Sequence, residues 1–196
     1  MKDKKIIVSS FAILSIALLP NSKPIENNYY NLNKINYYNY DYINNYYNVV
    51  LHLGYNNINK EHIKIIVDES KKEGLDIFLV LALVQEESKF KYNALNYNKN
   101  GSNDYGYFQI NNEYHPQYRK DIKKHIQYGV KFLKYCIERE NYNLERALSR
   151  YNSGSPVKSK KYAEKILKNK DNIERIYYKF LFLKETSNEA WWLNWK

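Results

Sequence analysis

Cysteine occurs once in the 196-residue chain, at Cys136, so no intramolecular disulfide can form. The four histidines are dispersed and form no cluster with other metal ligands, so we expect no metal ion and no cofactor. A long Lys/Arg block is also missing, because the basic residues occur singly, in pairs or in triplets. The net charge of +10 favours anionic surroundings, whereas the scattered distribution of the basic residues argues against a nucleic-acid partner.

A hydrophobic run long enough to span a membrane is absent from the N-terminus. The uncharged run over residues 6–19 is 14 residues long, whereas a membrane helix needs about 20. Three lysines precede the run and Pro20 follows it, so residues 1–22 are predicted to be an export signal. No clear A-x-A cleavage site is present, so an uncleaved N-terminal anchor is the alternative interpretation. In that case this segment would be the only part of the protein in contact with the membrane. A lipoprotein anchor is excluded because the segment has no cysteine.

Residues 23–58 lack a sustained helical or strand period and contain almost no glycine. Tyrosine and asparagine dominate this tract, and we interpret it as a low-complexity linker. At the other end, residues 186–196 form a tail that contains Trp191, Trp192 and Trp195 without a regular pattern. The residues between these segments, 59–185, are predicted to form one domain of catalytic size.

Regular structure is predicted to begin near Asn59 and to be mostly helical. Ile63, Ile66 and Val67 recur at helical spacing, and Gly74 is expected just beyond the helix end. Asp76 is then expected to cap a second helix that runs to about residue 88. This second helix is apolar nearly all round, which predicts that it is the central buried helix.

A long amphipathic helix is predicted over residues 121–140. Its apolar residues recur at helical spacing, and Cys136 lies on or beside that face, which indicates packing rather than a nucleophile. Shorter helices are predicted over residues 144–151, from Pro156 onward and from Asp171 onward. Residues 93–105 lack helical periodicity and predict a loop or a short hairpin.

Glu87 and Asp104 are two carboxylates in contrasting surroundings. Glu87 follows an apolar run and lies at the end of a predicted helix, where the helix dipole and the apolar surroundings both disfavour ionisation. Asp104 follows 17 positions later in a polar segment between two glycines. Two carboxylates with different protonation states at one pH are typical of glycosidic bond cleavage, with Glu87 as the general acid.

Three motifs surround this pair and continue beyond it. Residues 87–90 read E-S-K-F, residues 106–109 read G-Y-F-Q, and residues 151–154 read Y-N-S-G. Together they resemble the E-S-x-F, G-L-M-Q and A-Y-N-A-G motifs of the soluble lytic transglycosylase (SLT) domain family, over about residues 59–169. The segment G-S-N-D-Y-G at residues 101–106 resembles the branch associated with secretion and conjugation machinery. Tyr107 and Phe108 stand where the family usually has Leu and Met, which leaves the substrate preference open.

The resemblance implies a mostly α, lysozyme-like α+β fold in which helices surround a central helix and one excursion is irregular or a β-hairpin. It also implies an exported or periplasmic enzyme that acts on peptidoglycan glycan strands, with Glu87 as the catalytic residue. An envelope-spanning secretion or conjugation assembly is the partner that the branch implies. The residues implied to contact the substrate or the glutamate are Ser88, Asp104, Gln109, Tyr151, Asn152 and, as a weaker candidate, Tyr162.

Three functions are compatible with these motifs. A transglycosylase would use Glu87 first as acid and then as base on the muramic acid 6-hydroxyl, which closes a 1,6-anhydro ring. A muramidase would hydrolyse the same bond with water, and Asp104 would stabilise the glycosyl cation, as in animal-type lysozymes with the same 17-residue spacing. Those lysozymes are disulfide-rich and lack the Y-N-x-G motif, which favours the transglycosylase. A non-catalytic wall-binding protein would use the aromatic tract, the Trp tail and the basic charge, but binding alone needs no buried acid.

Overall fold

The computed structural model describes residues 42–186, with side chains described up to residue 182. The predicted export segment, residues 23–41 of the Tyr/Asn-rich tract and residues 187–196 of the Trp-rich tail lie outside the described residues. The described elements, in chain order, are α1 (42–52), α2 (Lys60–Lys72), α3 (Ile77–Ser88), β1 (Leu95–Tyr97), β2 (Asn103–Tyr105), β3 (Ile110–Asn111), a 3-10 turn (Pro116–Tyr118), α4 (Ile122–Arg139), α5 (Leu144–Ser153) and α6 (Lys160–Thr186).

Helix α3 is the centre of the domain, as the sequence predicts. The Asp76 side chain caps it by accepting the N–H of Phe78 at 2.8 Å. Every residue from 79 to 84 is buried, which is why this helix has no polar face. Helices α2 and α6 pack against it. The helix ends in a left-handed turn at Lys89 (φ 54°) directly after Glu87 and Ser88.

The predicted starts of α2 and α4 are also confirmed. The side chains of Asn59 and Asp121 accept backbone N–H groups from Glu61 and Lys124, respectively, and so cap these helices. Helix α5 follows its own Asn143 cap and extends two residues beyond the predicted end. Cys136 is fully buried on α4, in agreement with a packing role. Helix caps are readable from sequence because a short polar side chain there meets an otherwise unpaired N–H.

The predicted helix starts at Pro156 and Asp171 are wrong. Residues 154–159 form a bend and a turn, and one continuous helix, α6, runs from Lys160 to Thr186. Ser149 delays the helix start because its hydroxyl donates to the Ser155 carbonyl at 2.8 Å and accepts the Ser159 N–H at 2.9 Å. No glycine or proline occurs within α6, so nothing interrupts it at Asp171.

The predicted irregular linker is wrong for residues 42–52, which form helix α1. Four side chains of this helix are buried in the core at helical spacing: Ile43, Tyr46, Val49 and Val50. The Tyr46 ring stacks on Tyr177 of α6, with 4.6 Å between ring centroids. The tyrosines of this part of the tract act as large core residues, and the domain therefore includes residues 42–58.

The predicted excursion is a three-stranded antiparallel sheet in the order β1-β2-β3. Asp104 on β2 is paired in register with Asn96 on one side and Asn111 on the other. The small sheet and the six helices confirm a mostly α, lysozyme-like architecture. No helix within residues 42–186 combines the length and the apolar character that crossing a membrane requires.

Candidate active site

A cleft of about 370 Å³ lies between the C-terminal end of α3 and the small sheet. Five of the seven residues predicted for the site line this cleft: Glu87, Ser88, Asp104, Gln109 and Asn152. They come from α3, β2, the turn before β3 and the end of α5. The remaining two, Tyr151 and Tyr162, do not line the cleft but contact residues that do or that lie next to them. The fold thus brings together side chains that are up to 75 positions apart.

Glu87 lies in the last turn of α3 and is partly buried. The hydroxyl of Tyr162, which α6 places beside α3, donates a hydrogen bond to Glu87 Oε1. Burial raises the pKa of the Tyr162 hydroxyl well above its usual value, so this group stays protonated and acts as the donor. The glutamate is therefore held in one orientation by a neutral partner.

The pKa of Glu87 is raised to about 7. Burial is the largest cause, and the negative charges of Glu86 and Asp104 raise it further. The Tyr162 hydrogen bond and the positive charge of Lys89 lower it, but they do not cancel the effect of burial. Glu87 can thus be protonated near neutral pH and can also lose its proton there, as a group that acts as acid and then as base requires.

Asp104 occupies the opposite wall of the cleft, on a strand rich in polar side chains. Its Oδ1 accepts a hydrogen bond from Asn111 Nδ2 at 2.8 Å, and the same amide nitrogen lies 2.9 Å from the Ser102 hydroxyl oxygen. Asn111 is the register partner of Asp104 across the β2–β3 pair. The sheet therefore fixes the carboxylate through a cross-strand side-chain pair.

Ser88 and Tyr151 have backbone partners that the motifs did not indicate. The Ser88 hydroxyl donates to the Val84 carbonyl one turn back at 3.0 Å, so its proton is used within the helix. The Tyr151 hydroxyl donates to the Phe108 carbonyl at 3.0 Å. Tyr151 thus supports the turn at residues 106–109 from behind.

Gln109 and Asn152 reach the cleft from neighbouring segments. Gln109 has a left-handed backbone (φ 46°), and its Nε2 donates to the Gly106 carbonyl at 2.9 Å. Asn152 Oδ1 accepts a hydrogen bond from the Ser159 hydroxyl at 2.8 Å, so its amide nitrogen is the group left to meet a ligand. Both side chains are oriented by local partners.

The sequence motifs missed an ionic cluster at the cleft edge. Glu86 lines the cleft and pairs with Lys89 at 3.1 Å and with Lys165 of α6 at 2.7 Å. The motifs also missed Asn111 and the buried His125, which supports the turn at residues 106–109. Asn111 could have been found as a register partner on a neighbouring strand, but Lys165 and His125 are brought close only by tertiary packing.

Within residues 42–186, no three His, Cys, Asp or Glu side chains are grouped as a metal site would need.

Comparisons with known proteins place this chain in a family. The family model described as "Transglycosylase SLT domain" matches residues 64–174, which is more than half of the 196-residue chain. The chain is 65% identical to Lysozyme c-1 of Anopheles gambiae over 34 residues, which are 17% of this chain and 24% of that protein. It is 45% identical to a lysozyme of Antheraea mylitta over 53 residues, which are 25% of this chain and 44% of that protein. The chain thus spans less than half the length of these curated relatives, and no solved structure matches it significantly.

Proposed function

Because this chain belongs to the transglycosylase SLT domain family, we propose that it is a lytic transglycosylase that cleaves the β-1,4 bond between N-acetylmuramic acid and N-acetylglucosamine in peptidoglycan. The observation that carries the proposal is Glu87, a cleft glutamate whose pKa is raised to about 7. A solvated surface carboxylate would have no such shift. The raised pKa gives a population of the protonated acid at the pH where an envelope enzyme works.

In the first step, Glu87 gives its proton to the glycosidic oxygen as the bond to the muramic acid anomeric carbon breaks. The positive charge that develops at this carbon lies in the cleft with Asp104 on the opposite wall. The carboxylate of Asp104 is oriented by Asn111 at 2.8 Å, so it can stabilise that charge without being reorganised. The N-acetylglucosamine product leaves with the proton that Glu87 supplied.

In the second step, the ionised Glu87 takes the proton of the muramic acid 6-hydroxyl. The hydroxyl oxygen attacks the anomeric carbon and closes a 1,6-anhydro ring, which returns Glu87 to its protonated form. The Tyr162 hydrogen bond favours the ionised carboxylate between the two steps. Gln109 and Asn152 line the same cleft and are proposed to contact the sugar, while Tyr151 supports the turn that carries Gln109.

A second candidate function is hydrolysis of the same bond by a muramidase mechanism. The observation that favours it is the presence of two carboxylates, Glu87 and Asp104, in one cleft, together with the partial similarity to two lysozymes. In that reaction water attacks the anomeric carbon, and Asp104 stabilises or traps the glycosyl cation. The two functions share the first step and differ only in the nucleophile.

The substrate also implies a location. Peptidoglycan lies outside the cytoplasmic membrane, so the enzyme is proposed to be exported, with residues 1–22 as signal or anchor. A secretion or conjugation assembly is proposed as a partner only because residues 101–106 resemble the branch of the family associated with such machinery.

Fractionation of cells that express the full chain should find the protein in the envelope or periplasm, and removal of residues 1–22 should leave it in the cytoplasm. Cytoplasmic retention of the full chain would contradict the export proposal.

The experiment that tests the proposed function is digestion of purified peptidoglycan, followed by mass spectrometry of the soluble products. A transglycosylase releases muropeptides with 1,6-anhydro ends, which are lighter by one water and resist borohydride reduction. Products with reducible muramic acid ends would instead assign the muramidase reaction. Failure of the folded protein to release any muropeptide would remove both enzymatic functions. A parallel digest with the folded Glu87→Gln protein controls for contaminating wall hydrolases.

A further inference from the structure

The buried histidine of α4, His125, contacts the turn that carries a cleft residue. Its side chain belongs to a residue that is only 2% exposed, and its Nε2 accepts the backbone N–H of Phe108 at 3.2 Å. The other ring nitrogen, Nδ1, is buried without a hydrogen-bond partner among the described residues. A buried polar atom without a partner is costly, so packing alone does not account for a histidine at this position.

The imidazole ring also forms the surface against which the turn is folded. A Cβ atom added to Gly106 would lie 2.6 Å from both Cε1 and Nε2 of His125. Gly106 has a φ of +73°, so the turn requires glycine there for its conformation as well as for this close approach. The Tyr105 ring also packs near the imidazole, with 5.5 Å between the two ring centroids.

Two helices hold the two backbone polar groups of Phe108. His125 of α4 accepts its N–H, and the Tyr151 hydroxyl of α5 donates to its carbonyl at 3.0 Å. Gln109 follows directly, adopts a left-handed conformation and lines the cleft. The position of the Gln109 side chain therefore depends on how the preceding residue is held.

We propose that His125 is a positioning residue for the cleft: its neutral imidazole accepts the Phe108 N–H and, together with the Tyr151 hydroxyl, fixes the turn that presents Gln109 to the sugar. Because Nε2 is the acceptor, the single ring proton must be on Nδ1. Burial lowers the pKa of His125 to about 4, which agrees with a neutral ring at the pH of the envelope. The role of Gln109 rests on the proposed function, whereas the tautomer and the hydrogen bond do not.

The structural part of the proposal is tested by NMR on the wild-type protein. At pH 7 the ¹⁵N shifts of His125 should show a neutral ring with the proton on Nδ1, and the Phe108 amide proton should be protected from exchange. In the His125→Gln protein, whose side-chain oxygen can accept the same N–H, protection of Phe108 should persist. A charged ring at pH 7, a proton on Nε2 or an unprotected Phe108 amide would overturn the proposal.

The functional part is tested by a double-mutant cycle with peptidoglycan as substrate. We expect His125→Phe, which removes the acceptor and keeps a planar ring, to lower kcat/KM by about 100-fold, because small misplacements in a cleft cost about that much. His125→Gln should recover most of the loss. In a Gln109→Ala background, His125→Phe should reduce kcat/KM by less than about threefold further, since the two residues act through one position.

Additive losses in that cycle would overturn the proposal and leave His125 with a purely structural role. The matched control is Ile137→Val, which shortens a buried side chain on the same helix and should leave kcat/KM unchanged. If the wild-type protein cleaves no peptidoglycan, the proposed function fails, and the NMR measurements still decide the structural role of His125.

Discussion

The two walls of the cleft are built from opposite kinds of structure. Glu87 ends helix α3, whose residues 79–84 are all buried, and its carboxylate is contacted by a second long helix through Tyr162. Asp104 lies on β2 of the small sheet. All three residues of the neighbouring strand β1 are exposed. One wall is a continuation of the apolar core, and on the other wall polar side chains of the sheet surround Asp104.

The two surroundings support the separate roles that we propose for the two carboxylates. On the helical wall, burial is the main cause of the raised pKa of Glu87, which keeps a proton available for donation. On the sheet wall, Asn111 donates an amide N–H to Asp104 at 2.8 Å, which holds that carboxylate in one orientation. Acid chemistry is thus expected from the core side and charge stabilisation from the sheet side.

The largest effect is expected when the proposed acid of the helical wall, Glu87, is replaced. Glu87→Gln is nearly isosteric and can still accept the Tyr162 hydrogen bond, but it cannot donate a proton as an acid. We expect muropeptide release to fall by about 10²- to 10⁴-fold, the range that general acid–base catalysis contributes. The release rate from purified peptidoglycan measures this, with circular dichroism to show that the fold is kept.

The control for this substitution is Glu164→Gln, which changes an exposed glutamate of α6 whose partner is Lys160 at 3.9 Å. It removes the same charge from the protein without changing the cleft, so activity should stay within about twofold, as expected for an exposed ion pair. Substantial wall cleavage by folded Glu87→Gln protein would exclude Glu87 as the acid.

Removing the charge of the sheet wall should have a smaller effect. Asp104→Asn keeps an oxygen that can accept from Asn111, so the geometry is preserved and only the negative charge is lost. A unit charge about 7 Å from a cation, at an effective dielectric of about 20, is worth about 2 kcal/mol, or about 30-fold in rate. We expect a loss of about this size in muropeptide release, with the 1,6-anhydro product unchanged.

The product distinguishes the two mechanisms for Asp104. If water were the nucleophile, wild-type products would have reducing ends, and Asp104→Asn would be nearly as damaging as Glu87→Gln. Asp68→Asn, which removes an exposed carboxylate paired with Lys64 at 2.6 Å, is the control for the change in net charge. If the wild-type protein produces reducing ends and Asp104→Asn does not, the muramidase reaction would therefore be assigned in place of the transglycosylase reaction.

The two walls also differ in how far the sequence predicts them. The helical wall is predictable because local rules determine it: Asp76 caps α3, the following run is apolar throughout, and Glu87 falls at its end. The motif spacing then places Asp104 in a polar excursion, although its exact pairing with Asn111 depends on strand register. These features need only the periodicity and the residue types of short segments.

Contacts between distant segments could not be predicted in the same way. The family resemblance names Tyr162 only as a weaker candidate than Tyr151. Tyr162 is nevertheless the tyrosine that donates to Glu87, 75 positions away, because α6 packs along α3, whereas Tyr151 donates to Phe108. Tyr46 lies in a tract whose composition suggests a linker, but its ring is buried against Tyr177. In each case tertiary packing decides the role of a tyrosine, and composition carries no information about the partner.

The smallest predicted effect concerns the hydrogen bond between Tyr162 of α6 and Glu87 of α3 on the helical wall. Tyr162→Phe removes the hydroxyl that donates to Glu87 and leaves the ring in place. A hydrogen bond to a charged group contributes about 1.5 kcal/mol, so we expect a loss of about 10-fold in rate at the pH optimum. The hydrogen bond lowers the pKa of Glu87, so its removal should raise that pKa further above about 7. The protonated acid then persists to higher pH, so the alkaline limb of the pH–rate profile should move to higher pH.

The control is Tyr178→Phe, which changes an exposed tyrosine on the same helix and should alter neither the rate nor the profile. A downward shift of the alkaline limb in Tyr162→Phe would show that the hydroxyl does not stabilise the ionised glutamate.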